Sequence, residues 1–262
     1  MKRRVCNMKD DVILKTENLG ISFGGLKAVN NFNLEIKKGE LVGLIGPNGA
    51  GKTTVFNLLT GVYEPTEGKF YLDGKLMNGK KTYAVVANGI ARTFQNIRLF
   101  KKMTVLENVK VAFNKNIKYN AFQAVFRLGS YWKEEEKITK KAHELLSLFN
   151  MDDKADFIAS NLPYGQQRKL EIARALATDM KVLLLDEPAA GMNPTETSEL
   201  LDCINIIRKK FNISILLIEH DMSLVMKVCE RITVIDYGET IANGLPKEIA
   251  NNPKVISAYL GD

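Results

Sequence analysis

Over the first 45 residues, apolar positions alternate with polar ones or form short unbroken runs, which predicts β-strands. We expect strands at 11–16, 32–36 and 41–45. The third reads LVGLI without a polar residue, as in a strand that is buried on both faces. A glycine-rich segment follows this strand directly.

From about residue 97 to residue 161, the apolar spacing becomes helical. The segment MTVLENVKVAF predicts one helix, and YWKEEEKITKKAHELLSLFNM predicts a second one that is highly charged. The apolar side of the second segment is lined by Ile138, Leu145, Leu148 and Phe149. We interpret this region as an inserted helical subdomain.

Strand-like and helical segments alternate in the last third of the chain. The runs VLLLDE, ISILLIEH and ITVID are typical of buried strands, and helices are expected after Pro194 and near 222–228. This alternation predicts an α/β fold with a parallel sheet.

Composition limits the class of protein. With 262 residues, 45% of them hydrophobic and 26% charged, the chain can form one large globular unit, or one domain with a subdomain. Cys6, Cys203 and Cys229 are too far apart for a disulfide framework or a metal cluster, which suits a reducing compartment. We expect them to be buried or incidental thiols.

The chain is expected to remain in the cytoplasm. It begins with basic residues, but Lys9, Asp10 and Asp11 interrupt the apolar stretch that a signal peptide needs. Its apolar runs are far shorter than the roughly 20 residues that span a bilayer. The net charge of +7 permits nucleic acid or anionic lipid as a partner, but the lysines are dispersed, which favours a solvated surface.

A phosphate-binding loop is predicted between the third strand and the next helix. The segment GPNGAGKT fits GxxxxGK[ST] in the required order of strand, loop and helix. Glycines let backbone N–H groups converge on a phosphate, Lys52 reaches the β- and γ-phosphates, and the Thr53 hydroxyl can bind Mg²⁺. The expected contact residues are Gly46, Pro47, Asn48, Gly49, Ala50, Gly51, Lys52, Thr53 and Thr54.

Two carboxylates end the apolar strand KVLLLDEP. Ligands of open α/β sheets bind at the carboxyl ends of the strands, so we expect Asp186 to hold Mg²⁺ through water and Glu187 to polarise the attacking water. The alternative is that both acids merely end a strand in solvent. A kinase would also need an acceptor site, and the sequence offers none clearly.

The motifs GPNGAGKT, GQQRKLEIARAL, LLLDEP and LLIEHD occur in this order, and together they resemble the nucleotide-binding subunit of an ABC transporter. The resemblance covers nearly the whole chain. It implies a P-loop NTPase fold of the ABC type, with an antiparallel β subdomain and an inserted helical subdomain. Residues 1–262 would form a single ABC ATPase domain, with its nucleotide-binding core at about 11–96 and 166–262 and the helical subdomain at about 97–165.

The resemblance also implies roles for individual residues. Gln95 matches the glutamine that senses Mg²⁺ and links the nucleotide site to the helical subdomain, and His220 matches the histidine that contacts the γ-phosphate. Phe23 is the candidate for stacking on adenine, with a place in the core as its alternative. Tyr164, Gly165 and Gln166 would contact the phosphate held by the opposite subunit.

The signature turn departs from the family's usual Leu-Ser-Gly-Gly-Gln. Pro163 removes a hydroxyl and an N–H, and Tyr164 replaces a glycine. Either the phosphate approaches differently, or the phenol supplies a replacement donor. We expect the site that this turn completes to be the weaker of two, with a partner completing the other.

Two further features lie outside these motifs. Asn193, Pro194 and Glu196 fit the N-cap, N1 and N3 positions of a helix. The family usually carries aspartate at the position of Asn193, in the loop that crosses the dimer interface; the alternative is that Asn193 only caps the helix. The segment Arg98-Leu99-Phe100 begins three residues after Gln95 and would suit contact with a short helix of a membrane subunit; the alternative is that Leu99 and Phe100 are ordinary core.

Among such ATPases, several stretches, including RTFQNIRLFKKMTVLENV, LPYGQQRKLEIARAL and the tail VISAYLGD, look most like those of branched-chain amino-acid importers. That resemblance implies ATP and Mg²⁺, a second ATPase subunit in a heterodimer, two membrane permease subunits and an extracellular binding protein. It places the chain peripherally at the cytoplasmic face of the membrane. The alternatives are a related transporter of urea, short amides or other amino acids, a soluble ABC ATPase acting on nucleic acid or ribosomes, and a non-hydrolysing nucleotide binder. No nucleic-acid partner is expected.

Overall fold

The computed structural model describes residues 11–113, 126–127, 129 and 131–260, so the prediction for Cys6 lies outside the described residues. The chain divides into two compact units. The first comprises the residues up to 90, then 181–187 and those from 208 onward; the second comprises 91–180 and 188–207. The predicted boundaries of the helical subdomain stay a prediction.

The first unit contains a four-stranded antiparallel sheet. Its strands are β1 (Val12–Phe23), β2 (Leu26–Lys37), β4 (Glu67–Leu72) and β5 (Lys75–Leu76). They lie in the order β2-β1-β4-β5. Strands β1 and β2 are longer than predicted. Near Asn18, whose φ of 50° is left-handed, the pairing of β1 with β2 shifts register, and β1 continues to residue 23.

A second sheet has six strands: β3 (Leu41–Ile45), β6 (Ile90–Arg92), β7 (Val182–Asp186), β8 (Ser214–Ile218), β9 (Arg231–Asp236) and β10 (Glu239–Gly244). They lie in the order β10-β9-β3-β8-β7-β6. The predicted apolar strands β3, β7 and β8 are buried at every position. Strand β3 pairs in parallel with β8 and β9, and β7 pairs in parallel with β8, so the carboxyl ends of β3, β7 and β8 lie at one edge.

The core of the first unit is built from apolar side chains of both sheets and of a helix that follows β3. Phe32 from β2 and Phe56 from the helix are completely buried there, as expected for a domain of this size. The helices of this unit are α1 (Lys52–Leu59), α2 (Thr82–Asn88), α7 (Met222–Val228), α8 (Pro246–Ala250) and α9 (Pro253–Leu260).

The second unit is mainly helical. It contains α3 (Val105–Ala112), α4 (Tyr131–Ser147), α5 (Tyr164–Leu176) and most of α6 (Pro194–Phe211). Helix α3 begins with a capping box: the Thr104 hydroxyl accepts from the Glu107 N–H at 3.1 Å, and the Glu107 carboxylate accepts from the Thr104 N–H at 2.8 Å. The two helices predicted between residues 97 and 161 are therefore confirmed as α3 and α4.

The predicted apolar side of α4 was partly wrong. The helix ends at residue 147, so Leu148 and Phe149 lie beyond it; Leu148 is only half-buried. The stripe is completed by Ala142 and Leu146, since both are completely buried. These two positions follow the i, i+4 spacing from Ile138 that a helix imposes.

Two further sequence expectations concern burial and hydrophobic length. Cys203 and Cys229 are buried thiols, as expected, and desolvation raises the pKa of Cys229 to about 12. Within the described ranges, we find no helix whose length and apolar character would suffice to span a membrane.

Candidate nucleotide-binding site

The phosphate loop connects β3 to α1 in a conformation that its glycines make possible. Gly46 has φ 155°, and a Cβ at this position would lie 1.9 Å from the carbonyl oxygen of Ile235. Gly49 and Gly51 also have positive φ angles of 82° and 106°. No side chain caps α1, so its first turn keeps N–H groups directed toward an incoming ligand.

Lys52 lies under this loop and bonds to it. Its ammonium donates to the carbonyl oxygens of Gly46 at 2.6 Å and Pro47 at 2.8 Å, and the side chain is buried. Burial lowers its pKa, while the charges of Glu187 and Asp186 act in the opposite direction. Both partners are neutral carbonyls, so an anionic phosphate would be the stronger acceptor for this cation.

The remaining phosphate-loop residues differ in exposure. Asn48, Gly49 and Thr53 are exposed, Thr54 is half-buried, and Ala50 is buried. The exposed positions form an open rim, whereas the buried ones anchor the loop to the sheet. Contact of these residues with a nucleotide stays a prediction.

The two carboxylates at the end of β7 have different surroundings. Asp186 is buried, whereas Glu187 has a left-handed φ of 47° and donates its N–H to Ile218 at 2.9 Å. The Glu187 carboxylate lies 3.3 Å from Nδ1 of His220, whose side chain is 57% exposed. The neighbouring strands β7 and β8 thus bring together an acid and a histidine that are separated by 33 positions in sequence.

The described residues include oxygen donors that suit the predicted Mg²⁺. The described residues contain no group of three or more His, Cys, Asp or Glu side chains suited to a metal. Mg²⁺ prefers one or two protein oxygens, with water and substrate phosphates as its other ligands. The Thr53 hydroxyl and the Asp186 carboxylate provide such oxygens, so the residues fit this ion.

Phe23 ends β1 and is 43% exposed, so its alternative place in the core is wrong. Its ring contacts Tyr63 edge to face, with centroids 5.2 Å apart and an interplanar angle of 71°. The edge contact holds the phenyl plane while leaving part of the side chain open to a ligand. Adenine stacking stays a prediction.

The predicted glutamine belongs to the second unit. Gln95 is exposed in the loop after β6. The backbone carbonyl of Gln95 accepts from Nη2 of Arg168 at 2.7 Å, and that of Phe94 accepts from Nη1 at 2.6 Å. Arg168 was missed by sequence reasoning; the available signal was its spacing three residues before Glu171, which allows a buried pair on one helix face.

The altered signature turn forms the start of α5. Pro163 occupies the N-cap position without a capping side chain, and Tyr164 is the first helical residue, 44% exposed. The Tyr164 hydroxyl accepts from Arg168 at 3.3 Å and therefore keeps its own proton for donation. Gly165 is buried, and a Cβ at this position would lie 3.0 Å from the Glu196 carboxylate, so the turn leaves little room for a side chain; Gln166 is half-buried.

The capping box predicted for α6 is confirmed. The Asn193 side chain accepts from the Glu196 N–H at 2.9 Å, and the Glu196 carboxylate accepts from the Asn193 N–H at 3.1 Å. Pro194 follows as the first residue of the helix. All three residues therefore take part in capping, and a role of Asn193 between subunits stays a prediction.

The segment after the glutamine is largely exposed. Phe100 is 49% exposed, Arg98 is exposed and Leu99 is half-buried, so the core alternative is wrong for Phe100. The guanidinium of Arg174 lies 5.6 Å from the centre of the Phe100 ring. This segment presents an aromatic ring flanked by cations.

The comparisons with known proteins agree with this geometry. Residues 29–190 match the family described as ABC transporter, and residues 239–262 match that described as branched-chain amino acid ATP-binding cassette transporter. The chain is 48% identical over 250 residues to the high-affinity branched-chain amino acid transport ATP-binding protein LivG of Escherichia coli, covering 95% of this chain and 98% of that protein. It is 46% identical, with the same coverage, to BraF of Pseudomonas aeruginosa, which carries the same description.

Solved structures give the same result. The ADP conformation of MJ1267, an ATP-binding cassette of an ABC transporter, has a TM-score of 0.83 at 33% identity and covers 96% of this chain and 99% of its own. A dimeric post-hydrolysis state of the cassette MJ0796 bound to ADP and Pi has a TM-score of 0.74 at 25% identity, covering 89% and 99%. This chain therefore belongs to the ABC transporter family, as one of its ATP-binding cassettes.

Proposed function

We propose that this chain is the ATP-hydrolysing subunit that powers import of branched-chain amino acids through a membrane ABC transporter. The observation that carries this proposal is identity of 46–48% over 95% of the chain to branched-chain amino acid transport ATP-binding proteins. The lipopolysaccharide export protein LptB of Haemophilus influenzae is less similar, at 33% over the same share. The match at 239–262 supports the same cargo class.

ATP binding begins at the phosphate loop. Backbone N–H groups at the start of α1 and the Lys52 ammonium receive the phosphates, and the adenine stacks on the exposed phenyl of Phe23. Thr53 and Asp186 would hold Mg²⁺, which neutralises charge on the phosphate oxygens when bound. Lys52 then exchanges its two carbonyl partners for phosphate oxygens.

Glu187 and His220 serve hydrolysis. Glu187 accepts a proton from the attacking water, the new P–O bond forms at the γ-phosphorus, and the bond to the bridging β–γ oxygen breaks. His220 contacts the γ-phosphate and orients Glu187 from 3.3 Å. The test is the Glu187→Gln variant in the assembled transporter: it should retain ATP binding and lose turnover.

The active sites require a second subunit. Two cassettes pair head to tail, so that Tyr164, Gly165 and Gln166 of this chain complete the site on the partner's phosphate loop. The partner is a different ATPase with a full Leu-Ser-Gly-Gly turn, and the two act on two permease subunits served by an extracellular binding protein. Arg98, Leu99 and Phe100 form the permease contact, which holds the chain at the cytoplasmic face of the membrane.

The altered turn makes the two sites unequal. Pro163 provides neither a hydroxyl nor an N–H, and the Tyr164 hydroxyl, although it can still donate, is held in place by Arg168. A double change, Pro163→Ser with Tyr164→Gly, should raise ATP turnover of the heterodimer. Unchanged turnover would argue against the idea that this turn completes the weaker site.

Cargo is tested by ATP hydrolysis in the complex purified from native membranes. We expect binding protein loaded with leucine, isoleucine or valine to stimulate turnover, whereas urea and acetamide should not. Stimulation by urea or acetamide alone would support a related transporter. Salt-sensitive nucleic-acid binding, without any stimulation, would support the soluble alternative.

A further inference from the structure

Arg168 is a fully buried cation with partners in two functional segments. Its guanidinium donates to the carbonyl oxygens of Phe94 at 2.6 Å and Gln95 at 2.7 Å. The same group contacts the Glu171 carboxylate at 2.8 Å and the Tyr164 hydroxyl at 3.3 Å. One side chain therefore joins residues 94–98, the glutamine loop, to the signature turn at 163–166, two segments about 70 residues apart in sequence.

Glu171 extends this connection to the far end of the glutamine loop. One carboxylate oxygen accepts from Arg168, and the other accepts from the Arg98 N–H at 3.2 Å. Both residues of the pair are buried, with side-chain exposures of 0% and 2%. The loop around Gln95 is thus held on its carbonyl side by the arginine and on its N–H side by the glutamate.

The buried pair of Arg168 and Glu171 indicates a role beyond stabilising the fold. A buried ion pair is often no more stabilising than well-packed apolar residues of the same size. Here the guanidinium donates to two backbone carbonyls of a loop as well as to Glu171. Its planar fork can bond several acceptors at fixed angles, whereas the ammonium of a lysine is a single point charge. The arrangement fixes the position of one loop relative to another.

Tyr164 connects the same arginine to a third segment. Its ring lies beside Gly191, 3.6 Å from the position that a Cβ would take there. Gly191 belongs to the loop that leads to the Asn193 cap. The phenol that replaces a glycine in the turn therefore contacts both Arg168 and the loop before α6.

We propose that Arg168 is a positioning residue that couples the glutamine loop to the signature turn, with the Tyr164 hydroxyl as its contact on the turn. This inference rests on the proposed function, because it concerns how movement at the permease contact reaches the turn that completes a nucleotide site. Two sites are coupled when both of them bias the position of one shared element, so that binding at one site changes the affinity at the other. Arg168 would act through these partners and is assigned no contact with the nucleotide.

The first test uses the isolated chain and needs no partner. Hydrogen–deuterium exchange of the peptide covering 94–98 is compared in wild type, Arg168→Lys and Tyr164→Phe, with Lys169→Gln as a control. Lysine keeps the charge but lacks the fork, so exchange should become about tenfold faster, as expected for one or two lost hydrogen bonds. Tyr164→Phe should give about a twofold increase.

Lys169 lies on the same helix and pairs with Glu199 at 2.7 Å, so its variant should leave exchange at 94–98 unchanged. If Arg168→Lys does not fold, Tyr164→Phe still tests the contact. Wild-type exchange in both variants would overturn the proposal.

The second test separates coupling from folding. In the assembled complex, Arg168→Lys should lower the ratio of cargo-stimulated to unstimulated turnover by about fivefold or more, with the ATP Kd of the isolated chain unchanged. A purely structural role would instead lower the melting temperature and leave the ratio at its wild-type value. Failure of wild type to respond to cargo would refute the proposed function, whereas exchange in the isolated chain would still decide the role of Arg168.

Discussion

At the scale of single residues, Glu187 shows a backbone conformation that sequence alone does not require. A left-handed conformation costs a residue with a side chain about 1–2 kcal/mol. Here it is held by the N–H bond to Ile218 and directs the carboxylate to His220. Strain of this kind is concentrated at functional sites, which supports a catalytic role for this residue.

The exposed ring of Phe23 gives a prediction about affinity. Stacking of a base on an aromatic ring contributes about 1–3 kcal/mol, so Phe23→Ala should weaken ATP binding about tenfold, while Phe23→Tyr should not. Fluorescent-nucleotide titration of the isolated chain measures this change. Tyr83→Ala removes another exposed ring, 75% exposed, and serves as the control. An unchanged Kd for Phe23→Ala would exclude stacking at this position.

The phosphate loop was predictable because its chemistry is local: glycines, a lysine and a threonine at fixed spacing between a strand and a helix. Arg168 was not predictable in the same way. Its acceptors are backbone carbonyls of Phe94 and Gln95, and no side-chain pattern marks a carbonyl as an acceptor. Only the tertiary arrangement brings them together.

At the scale of elements, the cap of α6 predicts a stability effect. Asn193→Ala removes one half of the capping box and should lower the free energy of unfolding by about 1 kcal/mol. Asn193→Asp should keep that stability, since both side chains cap well. Urea unfolding measures both variants.

Turnover separates capping from a role at the subunit interface. If Asn193 only caps α6, the Asn193→Asp complex should hydrolyse ATP at the wild-type rate. A changed rate with unchanged stability would show that this position also acts between the subunits.

Helix α7 gives a prediction about pH. The Asp221 carboxylate accepts from the N–H groups of Ser223 and Leu224 and from the Ser223 hydroxyl. The Ser223 hydroxyl is the main cause of a lowered pKa for Asp221. Its stabilising effect is therefore fully present above the unfolded-state pKa and is lost as pH falls through the lower folded-state pKa.

The measurement is urea unfolding of wild type and Asp221→Asn between pH 7 and pH 3. Asparagine caps helices well but does not titrate. The difference in unfolding free energy between wild type and Asp221→Asn should be constant at neutral pH, and it should shrink below the ordinary pKa of aspartate. An advantage that persists or grows in acid would contradict the assigned cause.

Sequence patterns located most elements but not all their ends. The unbroken apolar runs of β3 and β7 identified buried strands because nothing polar interrupts them. Strand β1 continued past Thr16 because the chain accommodates Asn18 in a bulge instead of turning. In α4, Ala142 is completely buried, but its small side chain contributes little to an apolar pattern, so the sequence does not mark it as a core position.

At the scale of the whole molecule, the two units divide the chemistry. The first carries the phosphate loop, Glu187 and His220, and the second carries Gln95 and the signature turn. In the proposed head-to-tail pair, the signature turn of each cassette completes the site of the other, so this chain alone would hold half of each active site. Activity should therefore depend on assembly with its partners.

If this chain is the proposed motor, its ATP hydrolysis powers import of branched-chain amino acids. The most direct measurement is uptake of radiolabelled leucine by proteoliposomes that contain the complete transporter, with ATP inside and the binding protein outside. We predict leucine accumulation with wild type and none with Glu187→Gln, although both complexes should bind ATP. Equal uptake with the two complexes, or none with wild type while its ATP hydrolysis continues, would contradict this account.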